Sequence, residues 1–516
     1  MNDKELYKSA PSADFASPAR RTERAFHRSL YLGLQQLRGR PVGSAIRRLA
    51  EWDALGPERY AELCRERLAA MLRYAARHVP LYRTAPWAEQ LSGRDAADLD
   101  NWPVLQRDAL RQRRAELVSD ARGPLRVNRR SSASTGAPVT VTWNPTALAW
   151  SWAAEYHPML WHGLSLGART LRIWGSGRPL ENWTLNRHFV PAHDLAPDRL
   201  DAALRYLDTR RPELVWGSPS SVTELARHAG RVRGPATKPL VEFAKVGGEQ
   251  LYAFQRDEIR RYLGARVIEA YGCTEMGPVA AECPRGSLHL LESNVHVEIF
   301  RDGAPVPPGE TGDIVATTLI NRGMPLVRCR IGDIGRISPE PCNCGLPQPV
   351  LAELRGRAAD LLVRADGTAV HASVLGDALA RYVGKAPLGH ARKIQFHQVD
   401  RRNWRVEVEA PSSEDRGHED RAALEAQVSE LVRGTFGAEC RAQCEVVDRI
   451  PREASGKYRY YRVPTEPVAP SRYATAPYDR NAEIGDGGDE PHRRDTAGMR
   501  ASASSSVTDA PPPSAV

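Results

Sequence analysis

The sequence contains no apolar run that approaches the roughly 20 residues needed to cross a bilayer. Its best candidate, residues 314–320, is short and follows Asp313. The first 30 residues carry several lysines and arginines but no apolar stretch behind them, and a secretory signal requires such a stretch. We therefore expect a cytoplasmic protein that makes no contact with membranes.

Features typical of nucleic-acid binding are also missing. The formal net charge is +9, but the basic residues are dispersed along the chain. No basic strand interleaved with aromatic residues offers a surface on which bases could stack. The densest basic cluster, at 111–130, comes just before a hydroxyl-rich loop. It either attracts ATP or is a solvated helix face, and we do not expect nucleic acid as a partner.

The chain of 516 residues is too long for a single core, so two or three domains are expected. A long middle region alternates helical segments with short apolar runs that end in glycine-rich turns, which predicts a large α/β domain. The order changes after Arg357 to helix, strand, strand, helix, strand, which is typical of a small α+β domain. The apolar runs of the middle region are 171–174, 214–216, 241–246 and 267–270.

Composition sets the expected domain boundaries. Residues 1–22 mix serine, proline, alanine and charges, and residues 467–516 are dominated by small and polar types. Neither segment can bury a core, so we expect both to be disordered. The N-terminal domain is predicted at 23–354 and the C-terminal domain at 355–466.

Two short segments have the chemistry of a phosphate and metal site. Residues 131–138 form a serine- and threonine-rich turn around Gly136, whose hydroxyl and N–H groups suit phosphate oxygens. No Gly-Lys-Ser/Thr sequence follows, so this is not a Walker loop. Glu275 comes after the apolar run at 267–270, and a carboxylate at the end of a strand suits Mg²⁺. Taken singly, each segment is equally well explained as an ordinary turn.

Two further segments complete the set. Asp333 lies between Gly332 and Gly335 and could accept hydrogen bonds from ribose hydroxyls, with Arg357 as a donor. Lys457 lies in a Ser-Gly-Lys turn, where a lysine can be delivered to a phosphoryl group in the transition state. A hairpin aspartate and an exposed lysine are the ordinary interpretations. The fixed order of all four segments favours an ATP-using, AMP-forming enzyme.

From about residue 58 to 461 this order resembles the superfamily of acyl-CoA synthetases, nonribosomal adenylation domains and luciferases. Residues 75–83, 217–221, 247–249, 282–284 and 341–345 are similar to its phenylacetate–CoA ligase branch. The resemblance implies an α/β fold with a small mobile α+β lid at the C-terminus, ATP and Mg²⁺ as cofactors, and CoA as a further substrate. It places the ATP phosphates at Ser131, Ser132, Ser134, Thr135 and Gly136, and adenine near Gly248, Glu249, Tyr271 and Gly272. It places the α-phosphate at Thr274, Mg²⁺ at Glu275, ribose at Asp333 and Arg357, and adenylation chemistry at Lys457.

The sequence departs from the family pattern at four places. Ala133 replaces a glycine of the phosphate loop, and no lysine follows Gly136. Cys329 stands where a tyrosine is usual, and Ala359 stands where an acidic hinge residue is expected, with Asp360 beside it. The last departure bears more on thioester formation than on adenylation.

Four metal-binding residue types occur in two separated pairs, Cys283 with His289 and Cys342 with Cys344. Three thiolates and one imidazole would form a closed tetrahedral site for structural Zn²⁺, with no open position for catalysis. The alternative is that the four residues are unrelated. Cys440 and Cys444 are expected in the core.

Six of the eleven tryptophans lie between Trp143 and Trp183, where they either fill the core or line a pocket for a flat aromatic acid. His188, His193 and Trp216 are further pocket candidates. The expected activity is conversion of a carboxylic acid, which the tryptophan cluster predicts to be aromatic, to an acyl-adenylate that a thiol such as CoA then captures. One alternative has an amine or a carrier protein as the acceptor. Another is a non-catalytic binding protein, suggested by Ala133 and Ala359.

Overall fold

The computed structural model describes residues 17–84, 96–121, 126–131, 138–357, 360–382, 385–409, 418–453 and 455–462. All of them belong to one compact unit, Met1–Ala476. The predicted disorder of residues 1–16 and 467–516 falls outside the described residues. None of the described helices is both long enough and apolar enough to span a membrane.

Thirteen α-helices are described, and two single 3₁₀ turns occur at Leu99–Asn101 and Leu388–His390. The helices are α1 (Pro18–Leu37), α2 (Val42–Asp53), α3 (Pro57–His78), α4 (Pro80–Arg83), α5 (Ala109–Gln112), α6 (Arg114–Leu117), α7 (Pro145–Trp161), α8 (Pro179–Thr184), α9 (Pro197–Arg210), α10 (Pro219–Arg233), α11 (Ala253–Leu263), α12 (Val374–Ala380) and α13 (His418–Phe436).

Twenty strands are found in the described part of the chain. They are β1 (Val127–Arg130), β2 (Thr140–Trp143), β3 (Thr170–Trp174), β4 (Arg187–Pro191), β5 (Leu214–Gly217), β6 (Phe243–Gly247), β7 (Arg266–Cys273), β8 (Gly277–Glu282), β9 (Leu288–Leu290), β10 (Val295–Arg301), β11 (Ala304–Pro305), β12 (Thr311–Thr318), β13 (Cys329–Ile337), β14 (Leu351–Arg357), β15 (Leu361–Val363), β16 (Ala369–His371), β17 (Lys393–Gln398), β18 (Asn403–Glu409), β19 (Arg441–Val447) and β20 (Tyr461–Arg462).

The largest sheet has seven strands in the order β4-β3-β5-β6-β7-β8-β9. Strands β4, β3, β5, β6 and β7 pair in parallel, and β8 and β9 continue the sheet antiparallel. The central strands β5 and β6 are buried along their whole length, as the near-continuous apolar runs of a covered parallel sheet require. The four apolar runs at 171–174, 214–216, 241–246 and 267–270 therefore become β3, β5, β6 and β7.

A second sheet of five antiparallel strands, in the order β11-β10-β12-β13-β14, follows the first one in the chain. Strand β14 pairs with β13 as far as Arg357, which lies opposite Asp333. The predicted boundary between 354 and 355 would cut this strand pair, so any division of the chain belongs after Arg357. Whether the two parts act as separate domains stays a prediction.

The C-terminal region contains a four-stranded sheet, β19-β18-β17-β20, packed against α13, which in turn contacts α12. Its core includes Phe396, Trp404 and Phe436, which are fully enclosed, and Cys440, with Cys444 packed against it. The predicted order helix, strand, strand, helix, strand corresponds to α12, β17, β18, α13 and β19. The α/β class of the large N-terminal part and the α+β class of this small part are both confirmed.

The N-terminal segment predicted to be disordered, residues 1–22, includes residues that are helical. Helix α1 begins at Pro18, inside the segment 1–22 that composition indicated as disordered. Its side chains have partners distant in sequence, since the Arg20 guanidinium donates to the Arg211 carbonyl at 2.8 Å and Arg24 pairs with Glu213 at 3.1 Å. Tertiary contacts of this kind are invisible to local composition, and they order residues 18–22.

Candidate functional site

A cleft of about 720 Å³ opens where the parallel strands β5, β6 and β7 end. It is lined by the turns that follow these strands, by residues of β13 and β14, and by residues between 453 and 461. Ligands of α/β proteins bind at this edge of the sheet, because the strand ends leave a crevice between successive loops.

Residues from all four motifs line this one cleft. Among the sequence-predicted positions the lining residues are Ser131, Gly248, Glu249, Tyr271, Gly272, Thr274, Glu275, Asp333, Arg357 and Lys457. Four further predicted residues, Ser132, Ser134, Thr135 and Gly136, lie outside the described residues. Ser131 exchanges hydrogen bonds with Val139, one from each backbone N–H, at 2.8 Å. These bonds hold together the two ends of the hydroxyl-rich segment.

The Tyr271 hydroxyl donates a hydrogen bond to Asp333 Oδ2 at 2.7 Å. Burial raises the pKa of the Asp333 carboxyl, while the Tyr271 hydrogen bond and the Arg357 charge act in the opposite direction. Burial also raises the pKa of Tyr271, so the phenol stays a donor. Tyr271 comes from the seven-stranded sheet and Asp333 from the five-stranded sheet. The hydrogen bond therefore fixes a carboxylate at the junction of the two sheets.

Glu275 is almost fully buried and pairs with Arg107, whose Nη2 lies 3.1 Å from Glu275 Oε1. Arg107 is positioned because Leu105 forms a bridge with Cys329 and the Arg107 guanidinium also donates to the Ile331 carbonyl at 3.3 Å. The other carboxylate oxygen of Glu275 is not engaged by Arg107. Sequence reasoning missed Arg107, because it lies in a segment without a recognisable motif.

Lys457 reaches the cleft on a turn that packs against Gly175. A Cβ atom at Gly175 would lie 2.1 Å from the Ser455 carbonyl oxygen, so only glycine permits this approach. Lys457 Cε lies within 3.9 Å of the position of a Cβ at Gly248. Burial lowers the pKa of the Lys457 ammonium, and the neighbouring Glu249 charge opposes this shift. The turn thus brings a cation to the strand ends.

The C-terminal region is fastened beside the cleft by buried polar contacts. Glu249 accepts from the backbone N–H groups of Tyr458, at 2.9 Å, and Ser220, at 3.1 Å. Arg452, next to the start of the Ser-Gly-Lys motif, pairs with Glu224 at 2.7 Å with both side chains buried. Glu249, predicted near adenine, therefore also holds the Lys457 turn in place.

Part of the cleft lining is aromatic and charged. Of the clustered tryptophans only Trp152 and Trp174 line the cleft, and Trp216 joins them. The other clustered tryptophans lie elsewhere, since Trp143 is fully buried in the core and Trp183 is exposed. Core packing and pocket lining, the two alternatives for this cluster, are therefore both present.

Two predicted pocket residues do not reach the cleft. His188 is exposed and stacks on Tyr206 with ring centroids 4.3 Å apart, and His193 is also exposed. His188 belongs to β4, an edge strand of the sheet, His193 follows it, and neither lines the cleft. Cys329, which replaces a tyrosine, is buried in the core below the site. Asp360 is buried and accepts from the Tyr461 hydroxyl at 2.6 Å, while Ala133 and Ala359 lie outside the described residues.

The four candidate zinc ligands come together away from the cleft. One ligand atom of each of Cys283, His289, Cys342 and Cys344 lies within 4.8 Å of the others. Cys283 Sγ and Cys342 Sγ are 3.9 Å apart, and Cys344 Sγ lies 3.2 Å from His289 Nε2. Two thiolates on one tetrahedral zinc would be about 3.8 Å apart with Zn–S bonds of about 2.3 Å.

The surroundings of this cluster orient its ligands. His289 Nδ1 lies 2.8 Å from the Gln348 carbonyl oxygen, an arrangement that leaves Nε2 free to act as a metal ligand. Cys283 and His289 flank the turn between β8 and β9, whereas Cys342 and Cys344 lie in the connection from β13 to β14. The cluster therefore connects the seven-stranded sheet with the five-stranded sheet.

Comparison with known proteins agrees with this geometry. The family described as AMP-binding enzyme matches residues 187–319, and the CapK C-terminal domain matches residues 362–462. The phenylacetate-coenzyme A ligase of Thermus thermophilus is 25% identical over 445 residues, which cover 79% of this chain and 97% of the relative. The enzyme of the same name from Escherichia coli is 24% identical and covers 77% and 93%.

Solved structures give the same fold. A 2-hydroxyisobutyryl-CoA ligase in its postadenylation state superposes with a TM-score of 0.64 at 20% identity, covering 81% of this chain and 92% of that one. This structural similarity shows the fold. Together with the AMP-binding enzyme match at 187–319 and the sequence relatives, it supports an assignment to the adenylate-forming superfamily, in a phenylacetate–CoA ligase-like branch.

Proposed function

We propose that this protein activates an aromatic carboxylic acid with ATP and transfers the acyl group to CoA. The observation that carries the proposal is the meeting of four distant motifs in one cleft, with Lys457 beside Gly248 at the strand ends. Trp152, Trp174 and Trp216 in the cleft lining favour a flat ring in the acid.

In the first step a carboxylate oxygen of the acid forms a bond to the α-phosphorus of ATP. The bond from that phosphorus to the bridging oxygen breaks, and pyrophosphate leaves. In the second step the thiol sulfur of CoA attacks the acyl carbon, AMP leaves, and the thiol proton passes to solvent. Both steps concentrate negative charge on phosphate oxygens, which cationic side chains stabilise.

The proposed roles follow from the contacts. Asp333, held by Tyr271, accepts from the ribose hydroxyls, and Arg357 opposite it in β14 supplies a donor. Lys457 stabilises charge on the α-phosphate, on a turn whose Ser455 carbonyl packs against Gly175. For the turn to leave after adenylation, the contacts of Glu249 with the Tyr458 N–H and of Arg452 with Glu224 would have to open. The C-terminal region would act as a lid that moves between the two steps.

Glu275 is the proposed ligand for Mg²⁺, since its carboxylate lines the cleft and Arg107 engages only one of its oxygens. The bound ion would neutralise phosphate charge. Thr274, beside Glu275 on the same wall, is proposed to contact the α-phosphate.

The Cys283, His289, Cys342 and Cys344 cluster is the proposed structural zinc site, since its soft donors and spacing suit a closed tetrahedron. Purified protein should then contain close to one zinc per chain. Cys342→Ser should lower both the zinc content and the melting temperature, with little change in the ranking of acids. Cys64→Ser, at a buried thiol outside the cluster, is the control. A zinc-free wild-type protein of unchanged stability would contradict the assignment.

The decisive experiment measures ATP–pyrophosphate exchange with a panel of aromatic and aliphatic acids. Exchange that depends on an aromatic acid supports the first step, and absence of exchange with every acid contradicts the proposal. Release of AMP that requires CoA then tests the acceptor. If AMP is released with an amine or a carrier protein but not with CoA, the acceptor is wrong while the adenylation step stands.

A further inference from the structure

Three cationic side chains surround the indole ring of Trp216 beside the cleft. The distances to the ring centroid are 3.9 Å from Arg172 Cζ, 4.3 Å from Lys245 Nζ and 4.8 Å from Arg187 Cζ. Strands β3, β4 and β6 each contribute one of them. We refer to Arg172, Arg187 and Lys245 around Trp216 as the cationic wall.

The cationic wall has too few acidic partners to balance it. Lys245 Nζ donates to Glu155 Oε1 at 2.7 Å, and Arg187 Nη2 donates to the neutral Tyr156 hydroxyl at 3.0 Å. Arg172 Nη1 is buried and has no hydrogen-bond partner among the described residues. Glu181 adds only a longer-range charge. Burial and the nearby Arg187 lower the pKa of Arg172 to about 9, which still leaves it charged at neutral pH.

The unbalanced charge lies at the part of the cleft that we assign to the acid and refer to as the acyl side. Arg172, Lys245, Glu155 and Trp216 all line it, and Arg172 Cζ also lies 4.6 Å from the ring centroid of Trp174. The Trp174 ring in turn comes within 3.3 Å of the position of a Cβ at Gly248, next to Lys457. An acid whose carboxyl group meets the Lys457 turn would therefore direct its far end toward the cationic wall.

Desolvated cations without partners are costly, and an anionic ligand removes that cost. We propose that the preferred acid is a planar aromatic compound that carries a second anionic oxygen group, such as another carboxylate, and that Arg172 on the cationic wall binds this group. This inference rests on the proposed function and adds the class of substrate. A planar guanidinium suits a carboxylate because it can donate two parallel hydrogen bonds.

The test compares matched acids in ATP–pyrophosphate exchange: 1,4-phenylenediacetate, which has a second carboxylate, against 4-ethylphenylacetate, which has a neutral group there. The wild-type enzyme should show the higher kcat/KM with the dianionic acid. Arg172→Met should reduce that value about 10- to 100-fold and leave the neutral acid unaffected or improved. Arg172→Lys should retain part of the preference. Arg205→Met, at an exposed position of α9, is the control.

The outcomes distinguish failure of the proposed function from failure of the inference about Arg172. No exchange with any acid contradicts the proposed function, whereas exchange that favours the neutral acid overturns only this inference. An equal loss with both acids in Arg172→Met, or an increased KM for ATP, would assign Arg172 to the nucleotide and also overturn it. Should Arg172→Met fail to fold, the wild-type ranking over ortho, meta and para isomers of the diacid against their neutral counterparts decides the question.

Discussion

The two sides of the cleft differ in how their charges are arranged. On the side proposed for the nucleotide the two buried acids each have a defined partner, Asp333 with Tyr271 and Glu275 with Arg107. On the side proposed for the acid the cationic wall exceeds its acidic partners, and Arg172 keeps Nη1 without a hydrogen bond to any described residue. A site with paired groups is organised before its ligand arrives, while a site with unpaired charge is completed by its ligand. Variants on the two sides should therefore affect different substrates.

The largest effect is expected at Lys457, which serves the reaction rather than either substrate. Lys457→Ala should reduce the rate of acyl-adenylate formation about 10²–10³-fold, because the ammonium stabilises charge that develops in the transition state. Rapid-quench measurement of acyl-AMP checks the loss of rate. Calorimetry checks that the variant still binds ATP, as expected for a residue that acts in the transition state. Lys385→Ala changes an exposed lysine and is the control. Near-normal acyl-AMP formation in Lys457→Ala would remove the lysine from the mechanism.

The second-largest effect is expected from Glu275→Gln, on the side of the cleft proposed for the nucleotide. A neutral amide binds a hard cation more weakly than a carboxylate, so the apparent Mg²⁺ affinity should fall about 10- to 100-fold. Magnesium titrations of pyrophosphate exchange measure this change, and the ranking of acids should stay the same. Glu340→Gln, at an exposed position, provides the comparison. An unchanged magnesium dependence would show that the metal binds elsewhere.

Tyr271→Phe should have a smaller effect that is confined to ATP and does not extend to the acid. Loss of one hydrogen bond to Asp333 should raise the KM for ATP about two- to tenfold and leave the KM for the acid unchanged. That bond lowers the pKa of Asp333 against the raising effect of burial, so its loss raises the pKa further. Since the ribose needs the ionised carboxylate, the acidic limb of kcat/KM for ATP should move to higher pH. A pH profile beside that of Tyr206→Phe tests this, and a shift to lower pH would contradict it.

The smallest change should come from Glu155→Gln on the acyl side. The amide oxygen can still accept from Lys245, while one negative charge beside the cationic wall disappears. We expect kcat/KM for a dianionic acid to rise about two- to fivefold, with no change for a neutral acid or for ATP. Parallel assays with Glu439→Gln, which alters an exposed ion pair, control for general charge effects. Equal changes for both acids would mean that Glu155 does not influence the second anionic group.

The two sides also differed in how far the sequence revealed them. The nucleotide side could be predicted because each group lies in a short contiguous motif, so Tyr271, Glu275 and Asp333 were found together with their turns. The cationic wall was missed because β3, β4 and β6 contribute one residue each, and only sheet pairing makes Arg172, Arg187 and Lys245 neighbours.

The fold shows the same contrast between local and long-range information. Apolar runs with glycine turns predicted β3, β5, β6 and β7 well, because consecutive apolar residues are enough to indicate a buried strand. The start of α1 at Pro18 depends on partners that are distant in the sequence, such as Arg211, which is 191 residues from Arg20. The convergence of the Cys283–His289 pair with the Cys342–Cys344 pair was predictable from donor chemistry, because three thiols and one imidazole suit a single tetrahedral zinc site.

The Tyr271–Asp333 hydrogen bond also makes the site proposed for the ribose sensitive to how the two sheets are aligned. The cysteine and histidine cluster is a second join between the same sheets. A shift of one sheet against the other would change the spacing of Tyr271 and Asp333 without any substitution in the cleft, so the alignment of the sheets bears on the use of ATP in the proposed reaction.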